Sequence, residues 1–143
     1  MKSVNDVLKG KSGQVLSIAP GATVFEAITV MADREIGALL VMEGEALLGI
    51  LTERDYARKI IIQGKSSKDT TVQEIMTTKV MVVNSSHNVD ECLAIMTEKH
   101  VRHLPVVDHG KVVGIISIGD AVKAIISEQT FTISNLVNYI MGS

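Results

Sequence analysis

Apolar positions along the chain alternate between helical spacing and short unbroken runs, and turn-forming residues mark each change. Val4, Val7 and Leu8 predict a short opening helix stopped by Gly10 and Gly13. Val15–Ile18 reads as extended and runs into the turn Ala19-Pro20-Gly21. Thr23 and Glu26 form a capping box for a helix whose inward face is Val24, Ala27, Ile28, Met31 and Ala32. Gly37–Met42 is an apolar run of strand length, turned by Glu43-Gly44-Glu45 into Ala46–Leu51, so the pair predicts a hairpin. A helix from Glu53 to about Gln63 follows and ends at Gly64. The polar stretch Gly64–Asp69 reads as a surface crossover, and Thr71 and Glu74 cap a short helical turn carrying Val72, Ile75 and Met76.

The pattern then returns. Val80–Val83 reads as extended, and Asn88 and Glu91 cap a helix with Val89, Cys92, Leu93 and Met96 inward. His103–Val107 and Lys111–Ser117 form a hairpin about Asp108-His109-Gly110, and a helix runs from Gly119 to about Gln129. An offset of 65 residues relates Val24 to Val89, Met31 to Met96, Leu39 to Leu104, Gly49 to Gly114 and Asp55 to Asp120 without a gap. Two copies of a helix–hairpin–helix unit are predicted, at 15–63 and 80–129, joined by a crossover at 64–79. A separate amphipathic helix at 132–141 carries Ile133, Leu136, Val137 and Ile140, with Gly142 at its end. Each copy is too short to bury an adequate core alone, so a single α/β domain over 1–143 with two pseudo-symmetric clefts is expected.

Composition narrows the function classes. At 46% hydrophobic and 21% charged the chain has globular composition, and a net charge of −2 argues against a general nucleic-acid binder. With 3% aromatics and no Trp, stacking platforms for single strands are not expected. The lone Cys92, on the apolar face of its helix, reads as a core residue. The N-terminus shows no apolar run of signal-peptide length, and a soluble cytoplasmic protein is expected, with no membrane partner. No nucleophile motif or phosphate loop supports an enzyme, and His100 and His103 lack further ligand spacing, so no metal is expected.

The chemistry that repeats is the junction Gly49-Ile50-Leu51-Thr52-Glu53-Arg54-Asp55 and its copy Gly114-Ile115-Ile116-Ser117-Ile118-Gly119-Asp120. Each carries a hydroxyl residue followed three positions on by an acid. That spacing is a helix capping box. It is also a place to hold a sugar and a phosphate, since a carboxylate accepts from a vicinal diol and helix-start N–H groups suit phosphate.

These junctions, the strand–hairpin–helix order and the segment Arg102-His103-Leu104-Pro105-Val106-Val107-Asp108 resemble the CBS (cystathionine-β-synthase) motif. The match covers 15–62 and 80–127, and the whole chain resembles a stand-alone CBS pair, or Bateman-type domain. Thr52-Glu53-Arg54-Asp55-Tyr56 with Ser66-Ser67-Lys68 is similar to small bacterial CBS-pair proteins and to plant organellar single-pair proteins that modulate thioredoxins.

The resemblance implies binding of adenosine nucleotides, AMP foremost, with ADP, ATP or NAD as alternatives. It implies one cleft joining Thr52 and Asp55 to Thr78, Val80, Arg102 and His103, and another joining Ser117 and Asp120 to Val15, Gly37 and Ala38. The 65-residue offset sets Arg102 and His103 opposite Gly37 and Ala38, so greater phosphate charge is expected in the first cleft. Arg54 and Arg58 read either as a solvated helix face or as phosphate contacts in a dimer. An energy or redox-state sensor acting through a protein partner or a change of assembly is the expected function. A structural module with nucleotide as a stability cofactor, modulating thioredoxin-like partners, is the alternative. Ile60-Ile61-Ile62 is apolar all round its helix, which with an exposed Tyr56 and the terminal helix Ile133–Met141 predicts a homodimer.

Overall fold

The computed structural model describes residues 2–11 and 15–141, with Phe131 described by its backbone alone. Gly13 and Gly142, expected to end the first and last helices, lie outside the described residues. In chain order the elements are α1 (Val4–Lys9), β1 (Ser17–Ile18), α2 (Val24–Arg34), β2 (Ala38–Glu43), β3 (Ala46–Thr52) and α3 (Glu53–Tyr56), the last continuing as a π-helical turn over Ala57–Ile61. Then come α4 (Val72–Ile75), α5 (Val89–Lys99), β4 (His103–Asp108), β5 (Lys111–Ser117) and α6 (Ile118–Met141). They form two compact units: Val15–Met81, and Met1–Gln14 together with Val82–Ser143.

In the unit Val15–Met81, β1 runs parallel to β2 (Ile18 opposite Val41), and β2 pairs antiparallel with β3 (Ala38 opposite Thr52). Its core is Val24, Ala27, Met31, Leu39, Val41, Leu51, Ile60, Val72 and Ile75. In the other unit β4 pairs antiparallel with β5 (His103 opposite Ser117), and Val83 alone makes the parallel bridge, to Val106. The extended segment expected at Val80–Val83 is thus paired only at its last residue. Val4, Val83, Cys92, Met96, Leu104, Val106 and Ile116 fill that core. Both hairpins carry a bulge at the same place, between Val41 and Met42 and between Val106 and Val107. Helices α2 and α5 start on the expected capping boxes, Thr23–Glu26 and Asn88–Glu91.

The division into units shows a relation that the 65-residue offset hides. Helix α1 completes the second repeat, and α4 completes the first. An offset of 68 aligns Ser3 with Thr71, Val4 with Val72, Asp6 with Glu74 and Leu8 with Met76. The hydrogen bonds repeat as well. Val4 N–H donates to His87 O, Asn5 N–H to Ser85 O and Val89 N–H to Lys2 O, just as Val72 N–H donates to Ala22 O, Gln73 N–H to Pro20 O and Val24 N–H to Thr70 O. The two repeated glycines are the contact points of these helices. A Cβ on Gly49 would lie 2.7 Å from Thr77 O and 2.9 Å from Met76 Sδ, and one on Gly114 would lie 2.6 Å from Leu8 Cδ2.

Two expectations need correction. The chain does not break between Gln129 and Thr132; α6 is one helix to Met141, because no Gly or Pro follows Gly119 before its end and the Thr132 hydroxyl bonds back to Glu128 O. Tyr56 is half-buried against the core of its unit, so it is not an exposed contact. The π-helical turn, in which Ile62 N–H donates to Ala57 O, buries Ile60 and leaves Ile61 and Ile62 exposed.

Candidate functional site

Each candidate site is built where a strand turns into a helix. Thr52 ends β3 in an extended conformation, and its hydroxyl accepts from Asp55 N–H at 3.1 Å. Asp55 Oδ2 returns the bond to Thr52 N–H at 3.0 Å. The same arrangement stands at the other junction. Asp120 N–H donates to Ser117 Oγ at 3.1 Å and Ser117 N–H to Asp120 Oδ2 at 2.9 Å. The capping-box reading therefore holds at both.

The two acids differ in what else they hold. Asp55 is buried, and its carboxylate also accepts from the Thr52 hydroxyl at 3.1 Å and the Thr77 hydroxyl at 3.2 Å, while Lys59 Nζ lies 3.1 Å from Oδ1. Lys59 is itself held by Ile75 O at 2.8 Å. A carboxylate has about four acceptor positions, so Asp55 is saturated from within its own unit. Asp120 is half-buried. Lys11 Nζ sits 2.8 Å from its Oδ2 and donates to Ile115 O at 2.9 Å, and Oδ1 takes no hydrogen bond from the described residues. Burial alone would raise the Asp120 pKa. The hydrogen bond and charge of Lys11, with the Ser117 N–H and hydroxyl, outweigh that and hold it below the ordinary 3.8.

The cation beside each acid comes from a different place. Lys59 is four residues along from Asp55. Ala124 stands at the equivalent position of the second repeat, and Lys11, from the segment after α1, takes over the role.

The strand walls divide by unit. Glu53 N–H donates to Gly37 O at 3.1 Å and Ala38 is opposite Thr52, so Gly37 and Ala38 flank the saturated junction. Ile118 N–H donates to Arg102 O at 2.9 Å and His103 is opposite Ser117, so Arg102 and His103 flank the open one. Thus Thr52, Asp55, Gly37 and Ala38 come together within one unit, and Ser117, Asp120, Arg102 and His103 within the other. Arg102 is exposed and His103 half-buried. Val15 precedes β1 half-buried, Thr78 is exposed, and Val80, half-buried, bonds back to Thr78 O. Arg54 and Arg58 lie exposed on the helix after β3. Next to Gly37 a groove of about 560 Å³ is lined by Ile28, Met31, Glu35, Glu53 and Tyr56, two carboxylates among apolar walls. Cys92 is fully buried, and burial followed by the nearby Glu91 charge pushes its thiol up, as fits a core residue.

Lys11, Lys59 and Thr77 were not singled out by the sequence pattern. Lys59 had a signal, an i,i+4 acid–base pair with Asp55. Lys11 had none, because it meets Asp120 across 109 positions of chain.

The profile of the CBS domain matches residues 4–62 and 72–127. The chain belongs to the CBS domain family. Its two repeats make a Bateman-type CBS pair, and the family's first matched segment begins at α1, earlier than the repeat boundary at residue 15. The chain is 40% identical to the mitochondrial CBS domain-containing protein CBSX3 of Arabidopsis thaliana, over 98% of this chain and 72% of that protein. Among solved structures it is similar to a protein with CBS domains from Burkholderia ambifaria (TM-score 0.86, 50% identity, 90% of this chain and 96% of that one). It is also similar to the CBS domain pair of protein MJ0100 in complex with 5′-methylthioadenosine and S-adenosyl-L-methionine (TM-score 0.79, 27% identity, 90% and 98%).

Proposed function

We propose that this CBS pair is a non-catalytic, cytoplasmic regulatory module that binds an adenosine nucleotide, AMP foremost, with ADP, ATP or NAD as the other candidates. The observation that carries this reading is the open Asp120 junction. A carboxylate whose Oδ1 takes no hydrogen bond from the described residues stands beside an ammonium and a hydroxyl, and Arg102 and His103 flank the same strand end. Asp120 Oδ1 would accept from the ribose hydroxyls, while Lys11, Ser117 and Arg102 would supply donors and positive charge for phosphate. The complex of MJ0100 with two adenosine-containing ligands supports that class of ligand. Thr52, Asp55, Thr78 and Val80, with Val15, Gly37 and Ala38, would form a weaker site, because Asp55 must give up internal hydrogen bonds to receive a ribose. Arg54 and Arg58 remain candidates for phosphate in an assembled form.

The output would be a protein effector or a change of assembly, sensing energy or redox state, and the assembly would be a homodimer. A second reading, nucleotide as a stability cofactor in a module acting on thioredoxin-like partners, is favoured by the wholly internal network about Asp55. Titration calorimetry with AMP, ADP, ATP and NAD tests the first reading. Wild type binds at least AMP, and Arg102→Ala weakens AMP by roughly tenfold while adenosine is little changed, the loss of one charge-assisted contact. No heat with any of the four nucleotides overturns the reading; equal AMP affinity in Arg102→Ala overturns the role of Arg102. Effects on thioredoxin activity that do not depend on nucleotide would favour the second reading.

A further inference from the structure

The helices that complete the two repeats start alike and end differently. Ser3 bridges Asn88 as Thr71 bridges Thr23. After α4 the chain turns extended at Met76, and Thr77 and Ile50 exchange both backbone hydrogen bonds at 2.9 Å, with the Thr77 hydroxyl on Asp55. Ile75 aligns with Val7 at the 68-residue offset, yet α1 continues through Lys9 to a helical Gly10. Among the described residues no backbone bridge to Ile115 forms, and Lys11 takes its place. One ammonium donates to Ile115 O at 2.9 Å and to Asp120 Oδ2 at 2.8 Å, the acceptors that match Ile50 O and Asp55. A side chain does in this repeat what a backbone bridge does in the other, and a ligand can hold a side chain faster without refolding the chain.

We infer that Lys11 makes the Asp120 junction select a nucleotide over a nucleoside, and that it passes the presence of phosphate on to the end of α1. The inference rests on the adenosine-nucleotide reading above and adds to it a selecting residue and a reporting element. The reason is charge. Without Lys11 the Asp120 carboxylate would repel a phosphate; with it, the ammonium neutralises the acid and offers a charge-assisted donor. An ammonium has one N–H more than the bonds to Asp120 and Ile115 O use, and the Lys11 side chain is 35% exposed, within reach of a ligand. Lys11 is also tied to the last turn of α1, since its N–H donates to Leu8 O and Gly10 N–H to Val7 O. A phosphate that takes the remaining N–H fixes the ammonium, and by the same coupling steadies that turn. A neutral nucleoside reaches Asp120 Oδ1 without that N–H and leaves the turn as it was.

Titration calorimetry and amide hydrogen exchange at Gly10 and Lys11, followed by NMR on the full chain, test this with AMP and adenosine as probes. Wild type binds AMP roughly tenfold more tightly than adenosine, and saturating AMP slows exchange at the two amides by about fivefold, the low end of ordinary coupling between sites, while saturating adenosine does not. Lys11→Met binds adenosine at least as well as wild type, so its site is folded, but it binds AMP about tenfold more weakly and shows no slowing. Lys11→Arg recovers most of both effects. Arg102→Ala saturated with AMP keeps the slowing, because its lost charge is not tied to α1. AMP affinity unchanged in Lys11→Met, or lost equally with that for adenosine, makes Lys11 a structural contact and overturns the inference. An AMP-bound wild type with unchanged exchange at both amides overturns the report to α1. A wild type that binds AMP and adenosine alike leaves the adenosine-ligand reading standing and overturns the inference. One that binds neither overturns both.

Discussion

Asp55 and Asp120 occupy equivalent positions, yet replacing each by asparagine should separate stability from binding. In Asp55→Asn the amide oxygen still caps the Thr52 N–H, but an NH2 now faces the Thr77 hydroxyl or the Lys59 ammonium. Lys59 loses its counter-ion and, among the described residues, keeps Ile75 O. Breaking a fully buried pair costs about 3–5 kcal/mol; the Lys59 side chain is 39% exposed, which lowers the expectation to about 2–3 kcal/mol. At Asp120 the partners are Lys11, 35% exposed, and the Ser117 N–H, so the loss is about 1 kcal/mol. For a chain of this size these correspond to falls in Tm of roughly 5–10 °C and 2–4 °C. Urea and thermal unfolding followed by circular dichroism at the helical band give the stabilities, and calorimetry with AMP gives the affinities. Asp55→Asn should be the less stable variant and bind AMP nearly as wild type does, and Asp120→Asn the more stable one with AMP affinity largely lost. The reasoning is refuted if Asp120→Asn costs as much stability as Asp55→Asn, or if folded Asp55→Asn is the variant that cannot bind.

Two further predictions follow from the same geometry. Gly49→Ala should cost about 1–3 kcal/mol, because its Cβ meets the backbone oxygen of Thr77, which already accepts from Ile50 N–H. Gly114→Ala should cost less than about 1 kcal/mol, because the Leu8 side chain can swing aside and the unfolded chain is stiffened; a urea series in which Gly114→Ala is the costlier would contradict this. Stability should be lost as pH falls through the lowered carboxylate pKa values. Asp6 is lowered chiefly by the Ser3 N–H, Glu74 by the Thr71 N–H, and Asp120 is lowered despite its burial. The unfolded chain, with ordinary values of 3.8 for Asp and 4.5 for Glu, binds more protons in that range, so stability rises with pH through it and levels off above. The acid-side slope of the unfolding free energy should be shallower in Asp120→Asn, and an unchanged slope would contradict the assignment.

Much of the architecture was legible in the pattern, because a helix or strand seats its apolar face by a local period and a capping box closes within four residues. The ranges of α2, α5 and both hairpins, and the Thr52–Asp55 and Ser117–Asp120 boxes, needed nothing beyond that local code. The end of α6 is not legible in the pattern, because a change in apolar spacing resembles a boundary, whereas a helix ends only where its backbone bonds do. The burial of Tyr56 is not legible in the local pattern, because it depends on packing against the core of its unit, whose other members come from distant stretches of chain.

The sequence by itself determined the duplication, its family and the hydroxyl–acid pair at each junction, all of which are written in residue type and spacing. The tertiary structure alone decided which helix completes which repeat, and so why Gly49 and Gly114 admit no side chain without a neighbour moving. It also decided that Asp55 meets four donors within its unit, whereas the described residues leave one oxygen of Asp120 without one. A carboxylate's capacity to bind depends on the donors that already surround it, and for Asp120 the cation that settles the matter comes from Lys11, at the far end of the chain.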